Sequence, residues 1–356
     1  MEASDKFAAQ DNENLAGEVE AVFRKALSVK QSTYKAGTFL NDPSAFRYVD
    51  ERQDIIPLGI PVLDRLGIGL IAKQVILYIG PKGSGKTWFC IHCGKQALLQ
   101  GLKVVHYSHE MGEEEVIPRY YQSLFAAART SELYPKSLLE FDEIGRLSGF
   151  RTRLVKPKLS FSDPGARKLL RAKMKSFGSR FGNLIVKEFP TGLATVADIT
   201  NHLDYLEEVE GFVPNVMIVD YPKLLKTDRN NIRVDIGRNV EELRGVCVIR
   251  NLAGVFPHQG TRETIGAKKV KSSQAGEDIS VVQTADTILA FSKTKEEERR
   301  NLGRLSVEHA RRARGGEVVL LSQSYDTGQY VLNSASMQKA YWERMREVTG
   351  EEDIED

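Results

Sequence analysis

Eight consecutive residues of the sequence match GxxxxGK[ST], a pattern whose backbone can wrap around phosphate groups. They are Gly80-Pro81-Lys82-Gly83-Ser84-Gly85-Lys86-Thr87. An apolar run precedes them and a helix-like stretch follows from Trp88, which is the strand, loop and helix context that the motif requires. We expect Lys86 to reach the β- and γ-phosphates and the Thr87 hydroxyl to hold Mg²⁺. The motif therefore predicts binding of a nucleoside triphosphate, namely ATP with Mg²⁺.

A second apolar run ends in a carboxylate and reads Val216-Met217-Ile218-Val219-Asp220. Apolar runs that end in Asp are common, so this pattern is weak when it stands alone. After a phosphate-binding loop, at this separation, it is strong, because the carboxyl ends of parallel strands meet at one edge of a sheet. We expect Asp220 to complete the Mg²⁺ shell together with Thr87.

Two further polar residues follow predicted strands. Glu110 closes the stretch 104–110, where its carboxylate could orient and deprotonate an attacking water. The alternative is that Glu110 only favours the start of the next helix through the helix dipole. Gln259 follows the apolar stretch 253–258 and could sense the γ-phosphate, although this pattern is weaker when it is taken alone.

Length and composition restrict the class of protein. The 356 residues suffice for one large α/β domain with additions or for two modest domains. A formal net charge of +2 gives no whole-molecule field for nucleic acid, so that argument must rest on local clusters. The three cysteines fit a reducing compartment, and neither a signal peptide nor a membrane-spanning run is present. The expected location is the cytoplasm of a bacterium or of a phage-infected host cell, with no membrane partner.

Apolar runs alternate with helical stretches, which predicts βαβ units and a largely parallel central sheet flanked by helices. The predicted strands are 75–79, 103–107, 183–187, 215–219, 253–257 and 286–291, and the predicted helices are 86–99, 112–128, 196–209 and 236–250. Three antiparallel strands follow, at 305–310, 317–322 and 329–332, with a turn at Asp326-Thr327-Gly328. The fold class is therefore predicted to be α/β.

The predicted division of the chain has three parts. Residues 1–54 form an arm whose amphipathic helix, 15–29, packs on its own domain or docks on a neighbouring subunit. Residues 55–335 form the core, and residues 336–356 form an acidic tail. Within the core, 144–180 holds eleven basic residues and one acid, which predicts either a nucleic-acid surface or a solvated charged face.

Taken together, these segments resemble the ATPase domain of DnaB-type replicative helicases in the RecA-like superfamily. Tyr107-Ser108-His109-Glu110-Met111 resembles the family's "SLEM" segment, Asp220-Tyr221 its "DY" pair, and His258-Gln259-Gly260-Thr261-Arg262 its "SQLNR" segment. The stretches 56–66 and 283–286 resemble two more segments of the family. The resemblance implies a RecA-like P-loop fold, ATP hydrolysis with Glu110 as catalytic base, a hexameric ring, movement on single-stranded DNA, and a primase or helicase loader as partner.

The resemblance also implies an arginine finger, which reaches into the nucleotide site of a neighbouring subunit. Arg312 and Arg314 fit the spacing of the family's Lys-x-Arg pair, with Arg311 as an alternative by one residue. The planar guanidinium group suits this task because it donates to spread phosphate charge. The remaining interpretation is a basic surface hairpin without such a role.

Two loops match the channel loops that grip single-stranded DNA in the family. Their basic residues are Arg229, Arg233, Arg262, Lys268, Lys269 and Lys271. Small residues surround the lysines, as a flexible phosphate-gripping loop requires. The alternative is an exposed lysine cluster that binds no ligand.

Other functions remain open at this stage. The chain lacks the long helical N-terminal domain of cellular members and a primase region, which favours a viral or accessory member. A RecA/RadA-like recombination ATPase that forms filaments on DNA is one alternative, and a regulatory ring ATPase without DNA is another. The run Cys90-Ile91-His92-Cys93 suggests a metal site, but it lies inside a predicted helix without a second ligand pair, so packing explains it better.

Overall fold

A computed structural model of the protein describes residues 38, 43, 54–228, 231–261, 271 and 279–349. The chain divides into two units, Met1–Arg52 and Gln53–Asp356, and the fold given below is that of the second unit. The predicted helix 15–29 and the acidic end 351–356 lie outside the described residues. The predicted three-part division of the chain stays a prediction.

The described residues contain thirteen strands and nine α-helices. In chain order the strands are β1 (Ile55–Pro57), β2 (Gly69–Ile71), β3 (Val75–Gly80), β4 (Val104–Ser108), β5 (Tyr134–Phe141), β6 (Leu147–Val155), β7 (Leu184–Glu188), β8 (Val216–Asp220), β9 (Ala253–Gln259), β10 (Thr287–Ser292), β11 (Leu302–Ala310), β12 (Val318–Ser324) and β13 (Gln329–Ser336). The helices are α1 (Pro61–Arg65), α2 (Lys86–Leu99), α3 (Glu113–Phe125), α4 (Pro164–Phe177), α5 (Val196–Glu208), α6 (Ile232–Ile249), α7 (Ile279–Thr284), α8 (Lys295–Arg299) and α9 (Lys339–Thr349).

Nine of the described strands form one sheet in the order β13-β12-β11-β10-β3-β9-β8-β4-β7. The six strands from β10 to β7 are parallel, and β11 to β13 continue the sheet in antiparallel pairs. The predicted α/β class, with a largely parallel sheet and antiparallel strands at its end, is therefore confirmed. The predicted turn is a short 3₁₀ helix, Tyr325–Thr327, closed by the left-handed Gly328.

Each face of the sheet buries its own apolar layer, because neighbouring residues of a strand point to opposite sides. On β3, Val75, Leu77 and Ile79 face α5 and α6, whereas Ile76 and Tyr78 face α2. A strand that is buried on both faces reads as a continuous apolar run, which is the pattern seen in the sequence. Helix α5 begins at the predicted capping box, where the Thr195 hydroxyl accepts from the Asp198 backbone.

A hairpin that the sequence reading did not predict lies in the basic segment. Strands β5 and β6 pair antiparallel, and Leu139 and Phe150 pack against Tyr341 of α9. The structure thus places an ordered helix, α9, within the predicted tail 336–356. None of the described helices is long and apolar enough to cross a bilayer.

A buried ion pair joins α8, β11 and α9. The Arg304 guanidinium donates to Glu297 with N–O distances of 2.7 and 2.8 Å, and the Tyr341 hydroxyl donates to the same carboxylate at 2.7 Å. Trp342 covers the guanidinium at 4.9 Å. Arg304 is 4 % exposed and Glu297 is fully buried, so each charge depends on the other for compensation.

Replacing Arg304 by Leu leaves the Glu297 carboxylate buried without its partner. We expect the free energy of unfolding to fall by about 3–5 kcal/mol in urea denaturation. The matched control is Arg299→Leu, which removes the same group from a pair in which the arginine is 73 % exposed. That control is expected to cost less than about 1 kcal/mol. Equal losses in the two variants would contradict the role given to the buried pair.

Candidate active site

The phosphate-binding loop runs from the end of β3 to the start of α2. Gly83 and Gly85 have φ angles of 78° and 84°, in the left-handed region that glycine adopts without strain. Gly85 is the N-cap of α2 and offers no side chain to the first N–H groups of that helix. A Cβ atom added at Gly83 would meet no heavy atom within 4 Å, so the loop surrounds open space. These open N–H groups suit an anion.

The pairing of the parallel strands brings the predicted catalytic residues to one edge of the sheet. Gly80 of β3 lies opposite Gln259 of β9, and Ser108 of β4 lies opposite Asp220 of β8. The Gly260 N–H donates to the Gly80 carbonyl at 3.0 Å, which holds the residue after Gln259 against the loop. Gln259 is therefore beside the first residue of the phosphate-binding motif.

Lys86 is folded back onto its own loop. Its Nζ atom donates to the Pro81 carbonyl at 3.0 Å and to the Gly80 carbonyl at 3.5 Å. Burial lowers the pKa of Lys86, and the nearby Asp220 and Glu110 carboxylates act in the opposite direction. The ammonium group thus waits in the pocket, held by two weak acceptors that a phosphate can replace.

Asp220 and Thr87 are in contact at the other side of the loop. The Thr87 hydroxyl hydrogen-bonds the Asp220 carboxylate, while burial, helped by the negative charge of Glu110, raises the pKa of Asp220 to about 6. The Oδ1 atom of Asp220 is buried and has no hydrogen-bond partner among the described residues. A hydroxyl beside a carboxylate oxygen that lacks a partner is a donor set that suits Mg²⁺, so these residues fit the ion that the sequence implies.

Glu110 lies two residues beyond the end of β4 and is exposed. The strand is shorter than expected, since it ends at Ser108, and Glu110 stands in the loop before α3. The preceding residue, His109, is fixed by its N–H group, which donates to the Asp220 carbonyl at 2.9 Å. The His109 ring stacks on Phe189 at 5.8 Å. The backbone therefore holds Glu110 near Asp220 while its carboxylate stays accessible to water.

A cavity of about 390 Å³ adjoins the phosphate-binding loop, and the sequence reading did not find it. Trp88 and Tyr325 line it with rings stacked at 5.9 Å, and Arg119 lies over Trp88 at 5.4 Å. The Tyr325 hydroxyl donates to the Ser84 carbonyl of the loop at 3.3 Å. Of these residues, only Trp88 could have been proposed from its place after Thr87, because the others are distant in sequence.

Arg312 and Arg314 lie at the opposite edge of the sheet from the phosphate-binding loop. They follow β11, whose last residue, Ala310, pairs with Thr287 at the start of β10. Arg311 is held there by an ion pair with Asp286 at 2.8 Å. By contrast, Arg312 and Arg314 are exposed and have no acidic partner in the described part of the chain.

The predicted DNA-binding residues are only partly described. Arg233, near the start of α6, and Lys271, between β9 and α7, are both exposed. Arg229, Arg262, Lys268 and Lys269 lie outside the described residues. The binding of DNA by these loops stays a prediction.

The cysteines and the histidine of α2 are packed in the protein core. Cys90 and Cys93 are fully buried, and His92 is 2 % exposed. The Nε2 atom of His92 is 2.7 Å from the Leu58 carbonyl oxygen. Burial lowers the pKa of His92 to about 3, which favours the neutral ring. These contacts agree with packing as the reason for the cysteine and histidine run.

Comparisons with known proteins agree with this geometry. The sequence is 24 % identical over 288 residues to a DnaB-like replicative helicase of Enterobacteria phage T4, covering 79 % of this chain and 55 % of that protein. The chain thus spans about half the length of this curated relative. No protein-family model matches the sequence.

Two solved structures share the fold. One is an isolated ATPase domain, which superposes with a TM-score of 0.60 at 17 % identity and covers 83 % of this chain and 95 % of its own. The other is a DnaB-like replicative helicase, described with its interactions with primase, which gives a TM-score of 0.60 at 15 % identity and covers 95 % of this chain and 75 % of its own. The resemblance to DnaB-type ATPase domains is therefore confirmed.

Replacing Asp220 by Asn removes a buried charge that no ligand compensates in the free protein. Because the pKa of Asp220 is raised above its value in the unfolded chain, the carboxylate destabilises the fold at any pH above about 6 and has no such effect below about 4. We expect Asp220→Asn to raise the free energy of unfolding by about 2–3 kcal/mol at pH 8 and to change it little at pH 4.

The measurement is urea denaturation of the nucleotide-free protein at both pH values. The matched control is Asp54→Asn, which neutralises an exposed carboxylate and is expected to have no comparable effect. A variant that is less stable than the wild type at pH 8 would contradict the buried charge that the structure indicates.

Proposed function

We propose that this chain, which has the fold of DnaB-type helicase ATPase domains, is an ATP-hydrolysing motor that forms a ring and moves along single-stranded DNA. The proposal includes a hexameric ring with ATP bound between subunits. Separation of duplex strands ahead of the ring is the expected outcome of such movement.

The separation of the two halves of the site is the observation that carries this proposal. Asp286 donates its backbone N–H to the Val75 carbonyl at 3.1 Å and accepts from the Val75 N–H at 3.0 Å, so Arg311 and its neighbours lie at the start of β3. The phosphate-binding loop begins at the other end, at Gly80. Five residues of strand span about 17 Å, which exceeds the reach of an arginine side chain. Arg312 and Arg314 are thus proposed to serve the site of an adjacent subunit.

Within one subunit, the residues at the edge of the sheet divide the chemistry. Glu110 accepts a proton from water as its oxygen attacks the γ-phosphorus, and the bond to the β-phosphate oxygen breaks to release ADP and phosphate. Lys86 and the loop N–H groups bind the phosphate oxygens, and Gln259 senses whether the γ-phosphate is present. When bound to Thr87 and Asp220, Mg²⁺ neutralises phosphate charge.

We place the base of ATP in the cavity beside the loop. This placement is supported by the aromatic faces of Trp88 and Tyr325 and by their closeness to the phosphate-binding residues. Flat apolar rings stack on a base, and the Arg119 guanidinium offers donors to it.

The partners of the motor follow from its relatives and remain part of the proposal. Single-stranded DNA is the proposed track, gripped by the loops that contain Arg233 and Lys271. One solved DnaB-like helicase was described together with its interactions with primase, so a primase is a proposed partner, as is a helicase loader. The proposed location is the cytoplasm of a bacterium or an infected host cell.

Changing Glu110 to Gln keeps the shape of the side chain but removes its ability to take a proton. We expect ATP binding within about twofold of the wild type and a fall in turnover of about 10²–10⁴-fold. Binding is measured with a fluorescent ATP analogue, and turnover by phosphate release with and without single-stranded DNA. Glu113→Gln, at the start of α3, is the matched control. Near-normal turnover in Glu110→Gln would exclude Glu110 as the base.

Mixing two inactive variants tests whether the arginines act between subunits. Arg312→Ala/Arg314→Ala has an intact pocket but no finger, whereas Lys86→Ala has a finger but a defective pocket. Each is expected to lose turnover, by about 10³–10⁵-fold for the finger variant. If the finger acts across the interface, mixed rings contain some complete sites, so phosphate release rises well above that of either variant alone.

The mixture also has outcomes that oppose the proposal. If the mixed sample stays as inactive as its components although the subunits exchange, the arginines do not complete a neighbouring site. Negative-stain images of the wild type with ATP and single-stranded DNA then distinguish closed rings from the filaments of a recombination ATPase. Images of closed rings and DNA-independent turnover together would indicate a regulatory ring instead.

A further inference from the structure

The positive charge of the chain is concentrated in one insertion between α3 and β7. Of its 50 basic and 48 acidic residues, 11 and 1 lie in the segment 144–180, so this segment carries +10 and the rest of the chain −8. The nearly neutral total therefore conceals a strongly basic region. This region is not part of the active site described above.

Helix α4 arranges part of this charge as a stripe. Arg167, Lys168, Arg171 and Lys175 recur at helical spacing within one side of the helix, and all four are exposed. The other side packs on the protein through Ala166 and Leu170. At a rise of 1.5 Å per residue the stripe is about 12 Å long. None of the four side chains has an acidic partner in the described part of the chain.

The hairpin of the same insertion adds a second unfavourable arrangement of charge. Lys136 of β5 lies directly opposite Arg153 of β6, and like charges in this position destabilise a strand pair. The neighbouring Arg151 has a partner, since it contacts Glu140 at 2.9 Å, but neither Lys136 nor Arg153 has one among the described residues. A bound polyanion would relieve this repulsion.

We infer that the α4 stripe binds the phosphate backbone of duplex DNA, outside the site for ATP. The stripe consists of long cationic side chains, which suit phosphate contacts that do not read the sequence. It contains no aromatic or aliphatic residue of the kind on which protein interfaces depend, so a protein partner fits it less well. It also has no aromatic ring for stacking of unpaired bases, which favours duplex over single-stranded DNA.

The test compares the wild type with a variant in which the four basic residues of the stripe are changed to Gln. Binding of a short fluorescent duplex is measured by anisotropy between about 50 and 200 mM salt. Four phosphate contacts give a log–log salt slope near −3.6, which is a loss of roughly 150-fold in affinity over that range. We expect the variant to bind the duplex more weakly and its slope to become shallower by about 3.6.

A matched pair on the same helix controls for the general effect of charge. Lys175 belongs to the stripe, whereas Lys173 is exposed on another side of α4. Lys175→Gln is expected to make the slope shallower by about 0.9, and Lys173→Gln to leave it unchanged. Thermal melting checks that each variant is folded. Turnover of ATP without DNA should be the same in all of them, which separates this inference from the proposed hydrolysis.

Several results would overturn the inference. One is a wild type that does not bind the duplex, and another is a fourfold variant with unchanged duplex affinity and salt slope. An equal loss for a single strand of the same sequence would assign the stripe to single-stranded DNA. Loss of binding to polyglutamate, with duplex binding retained, would assign it to an acidic protein partner.

Discussion

The hydrogen bonds between the parallel strands β3, β9, β8 and β4 determine where every residue of the candidate site lies. Their pairing places Gly80 opposite Gln259 and Ser108 opposite Asp220. A shift of one strand by a single residue would turn its side chains to the other face and move its end away from the phosphate-binding loop. The two apolar layers on either side of the sheet oppose such a shift, so the same burial that stabilises the fold also positions the catalytic groups.

The free pocket carries a cost that the fold has to bear. Asp220 keeps a carboxylate oxygen buried without a partner, and Lys86 is partly buried with only backbone carbonyls as acceptors. Such groups lower the stability of the empty protein, and a nucleotide with its metal ion supplies the missing interactions. Ligand binding and folding stability are therefore linked through these two side chains.

The sequence predicted the parts of the structure that depend on local pattern. A buried strand reads as an apolar run and a phosphate-binding loop as a motif, so the sheet, the loop and Asp220 could be predicted. The cavity beside the loop could not, because Tyr325 meets Ser84 across 241 residues of sequence. The hairpin β5–β6 was missed for a similar reason, since its apolar residues are buried by the distant α9 rather than by a neighbouring element.

Strand β12 connects two regions that have been described separately. At its start it follows the turn with Arg312 and Arg314, and at its end it leads into Tyr325, whose hydroxyl bonds to Ser84. A Cβ atom at Gly85 would collide with that same hydroxyl, so the tyrosine and the loop move together. Any rearrangement of the loop when phosphate arrives or leaves is transmitted along this rod to the arginine turn. The state of one pocket can thereby be signalled to the next, which is the mechanical requirement for firing in succession.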